Sequence, residues 1–429
     1  MKIPSFVRVR IGVCAALALA CSTLPALADE VVKLGLNFPK TGPYEAQGAD
    51  QLRAAQLAVE EINAAGGILG RQVALALRDS QSSVPVTKVN VLELIVKEQV
   101  KMVFGGAASS VAVEAGRICE GKGVPFFGTL TYSTTTTCED GHRHVFRECY
   151  DSWAAAKVLS SYMQEHFAGK KFAYVTANYN WGISTEAAFR KFTGTEDRKA
   201  HPGVMTPFPV ATEDDFRKAI AEAAATHPDV LIVVEFGRDM VGALRQAALQ
   251  GVKATTPIIV PNLTLTMAEA AGPKIMEGVI GAVPWDWSVP YKYDYAGGKA
   301  FVEAYAKKYN RYPCTAGASA YTIVYEYKDA VERAKTFDAP AVIKALEGHR
   351  YTRLKDEQEW RAFDHQSVQS VYAVRCKPEA VVLQDKFKLD YFEIIGTAKG
   401  DDAFRTKDEW SARRIAASQP VALEKLAGE

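Results

Sequence analysis

The sequence predicts an α/β fold of two lobes, each built on a doubly wound and mostly parallel sheet. Two observations predict this fold. Short runs rich in apolar and β-branched residues alternate with longer segments whose apolar residues recur at helical spacing. The alternation fills residues 31–127 and starts again after residue 147, which predicts two such units in succession. A chain of 429 residues, 48% hydrophobic and 24% charged, is long enough to bury both cores.

The first unit is predicted to begin with a strand and to alternate strictly. Its strands fall at residues 31–37, 73–78, 100–104 and 125–127, and its helices at 49–65, 87–98 and from 109 onward. Apolar residues at helical spacing give the 49–65 helix a buried stripe, and Gly66 and Gly67 end it.

The stretch VKMVFGGAASSVAVEAGRIC, residues 100–119, reads as a strand, a tight glycine turn and a helix capped by serine. The first N–H groups of a helix lack partners, and the helix dipole places positive charge there. Ser109 and Ser110 therefore predict an anion site that could hold a carboxylate. The alternative is that Ser109 only caps the helix. Cys119 lies on the apolar face of this helix and is predicted to be a buried thiol.

The second unit repeats the pattern between residues 151 and 260. Helices are predicted at 151–167, 182–192, 213–226 and 239–250, and strands at 171–176, 204–210, 230–234 and 257–260. Further along, a strand at 278–283 precedes helices at 297–309, 318–335 and 340–347, a β-rich segment at 371–395 and a charged, exposed tail after 401.

In open parallel sheets, ligands bind beyond the carboxyl ends of the strands, so two such sheets facing each other would form a cleft there. The residues that directly follow strands are Tyr44, Ala108, Ser109, Ser110, Leu130, Tyr132, Trp181, Glu235, Phe236 and Asn262. Aromatic residues are frequent among them, which favours an enclosed pocket with an apolar wall. Packing inside the core is the alternative for each ring taken alone.

The N-terminus predicts export from the cytoplasm. Basic residues, an apolar run and an Ala-Leu-Ala cleavage site before Asp29 make residues 1–28 a signal peptide, so the mature chain is predicted to work in the periplasm. Lipidation at Cys21 is the alternative. The signal carries three of the 51 basic residues and none of the 50 acidic ones, so the mature chain is nearly neutral, which excludes a nucleic-acid binder on charge grounds.

Residue patterns for catalysis and metal binding are missing from the sequence. It contains no HExxH, GxSxG, GxGxxG or phosphate-binding loop, and its seven histidines are scattered, so we expect no metal, no cofactor and no enzymatic activity. Five cysteines follow the signal without a CxxC pair. In an oxidising compartment, Cys138 is predicted to pair with Cys149, and Cys314 with Cys376.

Five segments carry a resemblance to a known family. They are GLNFPKTGPYEAQG, VEEINAAGGILGR, FGGAASS, MVGALRQAALQG and SAYTIVYEYKDAVERA. With them, the chain resembles the leucine/isoleucine/valine-binding type of extracytoplasmic solute-binding proteins, the type I periplasmic binding proteins of ABC importers. The resemblance covers nearly the whole mature chain up to about residue 364.

The resemblance implies two lobes that are joined by three crossovers and close on a ligand. We place the crossovers near residues 147–151, 283–287 and 360–364. The N-terminal lobe then comprises 29–148 and 286–361, the C-terminal lobe comprises 149–285 and 362–400, and 401–429 is the charged tail. The implied protein is a monomer with a small carboxylate ligand and an ABC transporter membrane permease as its partners.

Residue by residue, the resemblance assigns the carboxylate-binding serine to Ser109, a contact loop to 130–132, and pocket aromatics to Trp181 and Phe236. The position of the family's acid for a ligand ammonium falls on Asn262, which is neutral. Burying an ammonium without a counter-charge costs several kcal/mol. Either Glu235 takes over that role or the ligand lacks an ammonium. Two ligand classes therefore stay open: an apolar or aromatic amino acid, and an amine-free aromatic acid.

The function predicted from these residues is periplasmic capture of such a carboxylate and its delivery to a permease. A sensor of the same fold, acting on a regulatory partner, is the first alternative. A secreted enzyme on this scaffold is the second.

Overall fold

The computed structural model describes residues 1, 2, 4 and 31–429, so most of the predicted signal peptide lies outside the described residues. The chain begins with five strands that form one sheet in the order β2-β1-β3-β4-β5, and every neighbouring pair is parallel. These strands are β1 (Val32–Phe38), β2 (Val73–Asp79), β3 (Val103–Gly105), β4 (Phe126–Gly128) and β5 (Val145–Arg147). The helices between them are α1 (Glu45–Ala64), α2 (Val84–Val96) and α3 (Ser109–Lys122).

The second unit forms most of a seven-stranded sheet. Its helices are α4 (Ser152–Phe167), α5 (Asn180–Thr193), α6 (Glu213–Ala225), α7 (Arg238–Leu249), α8 (Val252–Thr255), α9 (Leu265–Ala271) and α10 (Pro273–Met276). Its strands are β6 (Phe172–Ala177), β7 (Gly203–Thr206), β8 (Val230–Val234), β9 (Ile258–Asn262) and β10 (Ile280–Val283). All of these strands pair in parallel.

The chain then returns to the first sheet and comes back once more to the second. The intervening elements are α11 (Val289–Lys292), α12 (Ala296–Tyr309), α13 (Thr315–Ala334), α14 (Ala339–Leu346), β11 (Arg350–Tyr351), β12 (Gln358–Trp360) and β13 (Ser367–Val368). Helix α13 packs along α1, and β11 to β13 form a small antiparallel sheet. We call the five-stranded sheet with α1–α3 and α12–α14 the first lobe.

Two antiparallel strands complete the seven-stranded sheet, whose order is β15-β14-β10-β9-β8-β6-β7. The last elements of the chain are β14 (Val371–Cys376), α15 (Glu379–Val382), β15 (Phe392–Ala398), a 3₁₀ turn at Gly400–Asp402 and α16 (Lys407–Ala416). We call this sheet with α4–α10 and α15 the second lobe. Across the described residues, no helix combines the length and the apolar content that a membrane crossing requires.

Buried polar side chains join the three passages between the lobes. The first passage follows β5, the second follows β10, and the third lies between β13 and β14, a few residues after the predicted 360–364. Arg147, 1% exposed, donates from Nε to Oε1 of Gln366 at 2.5 Å. Lys355 is also buried and donates from Nζ to the carbonyl oxygens of Pro284 at 2.6 Å and Ser370 at 2.7 Å. The first and third passages are thus joined to each other, and so are the second and third.

Two predicted helix starts need correction. Helix α1 begins at Glu45, four residues before the predicted start, so part of the predicted glycine and proline loop is helical. The N-cap of α3 is Ala108, which offers no side-chain hydrogen bond, and Ser109 is the first helical residue. The prediction of a serine cap was therefore wrong, and the hydroxyl of Ser109 serves a different contact.

The tail predicted after residue 401 is exposed along most of its length, but it is folded and docks through a buried face. Thr406 and Glu409 form a capping box that starts α16, and the helix places Trp410 and Arg414 against the first lobe with 1% and 2% exposure. The indole Nε1 of Trp410 donates to the carbonyl oxygen of Thr137 at 2.9 Å. The many charged residues of this segment led to the prediction of exposure, but one face of α16 is buried.

The predicted disulfides are absent from the described residues. Cys119, Cys138, Cys149, Cys314 and Cys376 are all free and buried. Cys138 faces the carbonyl oxygen of Trp410 and Cys314 faces Thr266, each with its sulfur at 3.8 Å. The prediction that Cys119 is a buried thiol is confirmed.

An ion pair between His142 and Glu424 at 2.8 Å fastens the chain end to the first lobe and sets a pH window. The hydrogen bond with Glu424 raises the pKa of His142 above 6.5. Although partial burial acts in the opposite direction, the hydrogen bond with His142 lowers the pKa of Glu424 to about 2. The stabilisation from His142 is complete below about pH 6.5 and is lost as the pH rises through the raised pKa. That from Glu424 is present above about pH 4.5 and is lost towards pH 2.

We therefore expect His142→Ala to lower the free energy of unfolding at about pH 5.5 and to have much less effect at about pH 8.5. Urea denaturation at both pH values measures the difference. The matched control is the same substitution in a Glu424→Gln background, where the ion pair is already absent and the loss should no longer differ between the two pH values. Equal losses for His142→Ala at both pH values would contradict the role of this ion pair.

Candidate ligand-binding site

The residues that follow the strands of the two sheets meet between the lobes. Tyr132 comes from the loop after β4 in the first lobe, and Phe236 follows β8 in the second. Their rings contact edge to face, with centroids 5.8 Å apart. This contact places the carboxyl ends of both sheets against each other, as the sequence predicted.

Ser109 links the start of α3 to the neighbouring loop. Its hydroxyl oxygen, 1% exposed, accepts a hydrogen bond from the backbone N–H of Ser133 at 3.0 Å. That oxygen is used as an acceptor, so the hydroxyl hydrogen remains for an acceptor on a ligand. Ala108 and Leu130 are each 1% exposed, whereas Ser110 is partly exposed. Ser109 is therefore the better placed of the two serines for an enclosed contact.

Aromatic rings from both lobes converge on Phe236. Tyr44 meets it edge to face with a centroid distance of 5.4 Å, and Trp181 does so at 5.7 Å. With Tyr132, three rings surround this side chain, and each of the four is at most 3% exposed. Edge-to-face pairs at such distances add roughly 0.5–1.5 kcal/mol each beyond the burial of area. The rings thus form an apolar junction between the lobes.

Asn262 presents a hydrogen-bond donor. Its Oδ1 accepts from Nε1 of Trp181 and from the hydroxyl of Ser152, both at 3.1 Å. Two donors on the oxygen fix the orientation of the amide. Its Nδ2 is buried beside the hydroxyl of Tyr150 and makes no hydrogen bond of standard geometry within the described part of the chain. An ammonium group also only donates, so it has no acceptor here.

Glu235 is a buried carboxyl group without a cationic partner among the described residues. It is 1% exposed, and its Oε1 accepts from the hydroxyl of Thr206, while Oε2 has no partner there. Burial raises the pKa of Glu235 well above its usual range, and the nearby Asp239 raises it further. Burial also raises the pKa of Asp239 to about 6. A positive group placed here would favour the ionised carboxylate.

Direct hydrogen bonds hold the two lobes together at the cleft. The hydroxyl groups of Tyr44 and Tyr179 lie 3.1 Å apart, and the backbone N–H of Arg238 donates to the carbonyl oxygen of Pro43 at 3.3 Å. The hydroxyl of Ser133 donates to Asn180 Oδ1 across the same junction. The lobes are therefore in contact on both sides of Phe236, and the conformation is closed.

Several residues of this junction are not among those predicted from the sequence. Ser133 joins Ser109 to the second lobe, and Tyr150 packs on Tyr132 at 4.9 Å while donating to the carbonyl oxygen of Ala282 at 2.7 Å. Ser133 lies in the run STTTT, and this concentration of hydroxyl groups in the sequence could have indicated a polar contact. Tyr150 follows β5 and satisfies the same strand-end rule that selected the others.

Residues 31–380 match the family described as periplasmic binding protein. The chain is 28% identical over 346 residues to the Leu/Ile/Val-binding protein homolog 7 of Brucella abortus strain 2308. The alignment covers 77% of this chain and 83% of that relative. The chain therefore belongs to the periplasmic binding protein family, whose members are solute-binding proteins of ABC transporters and not enzymes.

Two solved structures share the fold. A solute-binding protein of an ABC transporter from Rhodopseudomonas palustris BisB5, in complex with 3,4-dihydroxybenzoic acid, aligns with a TM-score of 0.73 at 19% identity, covering 86% of this chain and 98% of that one. A branched-chain amino acid transporter substrate-binding protein from Streptococcus pneumoniae, in complex with isoleucine, aligns with a TM-score of 0.71 at 24% identity, covering 86% and 100%. The predicted family resemblance and fold class are confirmed.

Gly237 is required for the closed contact. It has a φ of 60°, and a Cβ atom there would lie 2.4 Å from Cδ1 of Tyr44 and 2.8 Å from the carbonyl oxygen of Pro43. Both of these atoms belong to the opposite lobe. A side chain at this position is therefore compatible only with lobes that are further apart.

We expect Gly237→Ala to destabilise the closed form by roughly 1–3 kcal/mol, as overpacking of a tight contact does. Small-angle X-ray scattering of the ligand-free protein should then report a larger radius of gyration. Gly251→Ala is the matched control, because Gly251 also has a positive φ (76°) but no described atom lies within 4 Å of its added Cβ. Identical scattering from the two variants would contradict the proposed clash.

Proposed function

We propose that this protein captures a small carboxylate between its lobes in the periplasm and delivers it to the membrane permease of an ABC importer. The observation that carries the proposal is the convergence of two hydrogen-bond donors, Ser109 and Asn262 Nδ2, around the aromatic junction at Phe236. A donor at each end and rings between them suit a flat molecule with acceptor groups at both ends.

The carboxylate of the ligand is assigned to the start of α3. This helix has 14 residues, and Ala108 at its N-cap supplies no side-chain acceptor for the first N–H groups. Those N–H groups and the helix dipole favour a negative group, and the Ser109 hydroxyl adds a second kind of donor. Ser110 lies beside it at the more exposed side of the same turn.

The other end of the ligand is assigned to Asn262. Because Trp181 and Ser152 occupy its oxygen, this residue offers only its Nδ2 hydrogens, so the ligand group must be an acceptor such as a hydroxyl or a carbonyl. With rings at Tyr132, Trp181 and Phe236, we favour an amine-free aromatic acid. The complex of the Rhodopseudomonas palustris relative with 3,4-dihydroxybenzoic acid supports this choice.

An apolar or aromatic amino acid is the second candidate, and Glu235 favours it. Its unpaired Oε2 and the absence of a described cationic partner provide the acceptor that an ammonium needs. The complex of the Streptococcus pneumoniae relative with isoleucine supports this candidate. The two candidates differ in which residue meets the second polar group of the ligand, Asn262 or Glu235.

Thermal unfolding with two ligand sets separates the candidates. Benzoate and 4-hydroxybenzoate form one set, and leucine and phenylalanine the other. A ligand at about 100 times its Kd adds roughly 2.7 kcal/mol to the free energy of unfolding, which raises Tm by several degrees in a chain of this size. We expect a rise with the aromatic acids only, and a larger one with 4-hydroxybenzoate, whose hydroxyl oxygen can accept from Asn262. A rise with the amino acids only would assign the second subsite to Glu235.

Substitution of the two proposed donors tests the orientation of the ligand. Ser109→Ala should weaken binding of the responding ligand by roughly 1.5–3 kcal/mol, measured by titration calorimetry, because a hydrogen bond to a charged group is lost. Ser160→Ala on α4, whose hydroxyl donates to the carbonyl oxygen of Lys157 at 2.7 Å, is the control. Unchanged affinity in Ser109→Ala would exclude the assignment of the carboxylate to α3.

Asn262→Asp keeps the shape of the side chain but replaces its donor with a charged acceptor. We expect it to abolish the binding of 4-formylbenzoate, whose carbonyl group can only accept, because that acceptor then faces a carboxylate. If the variant instead gains affinity for leucine or phenylalanine without losing the aromatic acid, the assigned role of Nδ2 is wrong.

A further inference from the structure

The end of the chain makes a fourth connection between the lobes. Strand β15 belongs to the second lobe, where it pairs with β14 from Val371 opposite Ala398 to Cys376 opposite Phe392. The chain then leaves this sheet and docks α16 on the first lobe, against the loop between β4 and β5. The family match ends at residue 380, before this connection begins.

Helix α16 contacts the first lobe through buried side chains, and the polar groups of these side chains form hydrogen bonds with that lobe. Trp410, besides donating to Thr137, packs on Phe363 with ring centroids 5.4 Å apart. Arg414, 2% exposed, donates from Nη1 to the carbonyl oxygens of Cys138 and of Gly141, the latter at 3.3 Å. Detaching this helix would expose a tryptophan and leave these carbonyl groups without their donors, which is costly.

A second attachment follows α16. Oε2 of Glu424 accepts from the backbone N–H of Arg143 at 3.0 Å, and Glu429 pairs with Lys344 at 3.2 Å. Leu426 between them is 2% exposed. All of these partners belong to the first lobe, so the segment after residue 406 moves with that lobe.

The link between β15 in the second lobe and α16 on the first lobe, which are the two anchors of this segment, is short. Only residues 399–405 connect Ala398 of β15 to the N-cap of α16, and seven residues span at most about 25 Å when fully extended. Arg405 within this link touches both lobes. Its guanidinium lies 4.6 Å from the ring centroid of Trp153 in α4, and its Nη1 donates to the carbonyl oxygen of Thr134 at 3.2 Å.

We propose that residues 399–429 act as a strap that limits how far the lobes separate and holds the ligand-free protein near its closed form. An opening that separates α4 from the loop that carries Thr134 would break the Arg405 contacts and extend the link. The contribution of the strap depends on its length and on both anchors, and it is independent of which ligand the cleft binds.

Distances between spin labels measure this restraint directly. Val89→Cys in α2 and Leu249→Cys in α7 place labels on opposite lobes at positions that are 57% and 72% exposed, while the five cysteines of residues 31–429 are buried. Six Gly/Ser residues inserted after Lys399 lengthen the link by up to about 20 Å and leave every docking contact of α16 in place. The matched control is the same insertion after Lys199, in the exposed loop between α5 and β7.

In the ligand-free protein from residue 29 onward, we expect the insertion after Lys399 to shift the distance distribution to longer values and to broaden it. The control insertion should leave the distribution unchanged. Circular dichroism and thermal unfolding establish that both variants are folded. A distribution that stays the same in the folded Lys399 variant would overturn the proposal, and removal of residues 400–429 should reproduce the shift if that variant folds.

Discussion

The structure depends on the packing of aromatic rings across the junction of the two lobes at Phe236. Rings from the first lobe, Tyr44 and Tyr132, and Trp181 from the second all meet this side chain edge to face. Such contacts need the ring positions to be set by rigid elements, and here each ring stands at or just beyond the carboxyl end of a strand. The two sheets therefore position the rings, and the contacts between the rings in turn fix how the two sheets lie relative to each other. Gly237 makes this approach possible, since any side chain there would strike Tyr44.

Polar groups surround this apolar centre. Donors lie at the start of α3 in the first lobe and at Asn262 in the second, and Glu235 adds a carboxyl group in the second lobe. Burial keeps the pKa of Glu235 high, so the group is compatible with a neutral state that costs little to bury. An incoming ammonium would favour the charged carboxylate, whereas an amine-free acid would leave the pKa of Glu235 raised. The ligand class and the protonation state of Glu235 are thus linked.

Contacts in the cleft and contacts among the three passages between the lobes both stabilise the closed conformation. The three passages are held by buried polar side chains, among them Arg147 and Lys355, and burial lowers the pKa of Lys355 to about 8. The C-terminal segment adds a fourth connection beside them. Its charged composition favoured an exposed tail, yet Thr406 and Glu409 are spaced as a capping box, and Trp410 then falls on the face that docks. The local signal for the helix was present, but its buried partner was 273 residues away.

The sequence by itself determined the alternation of strands and helices, the two-lobe class, and the rule that site residues follow strands, because these depend on periodicities within short windows of the chain. It also placed Ser109, Tyr132, Trp181, Phe236 and Asn262 at the facing carboxyl ends of the two sheets. Only the tertiary structure decided what each of them contacts. The amide orientation of Asn262 is set by Trp181 and Ser152, which lie 81 and 110 positions away. Likewise, the five cysteines stay unpaired because each is buried among different neighbours, and spacing along the chain carries no information about such distant partners.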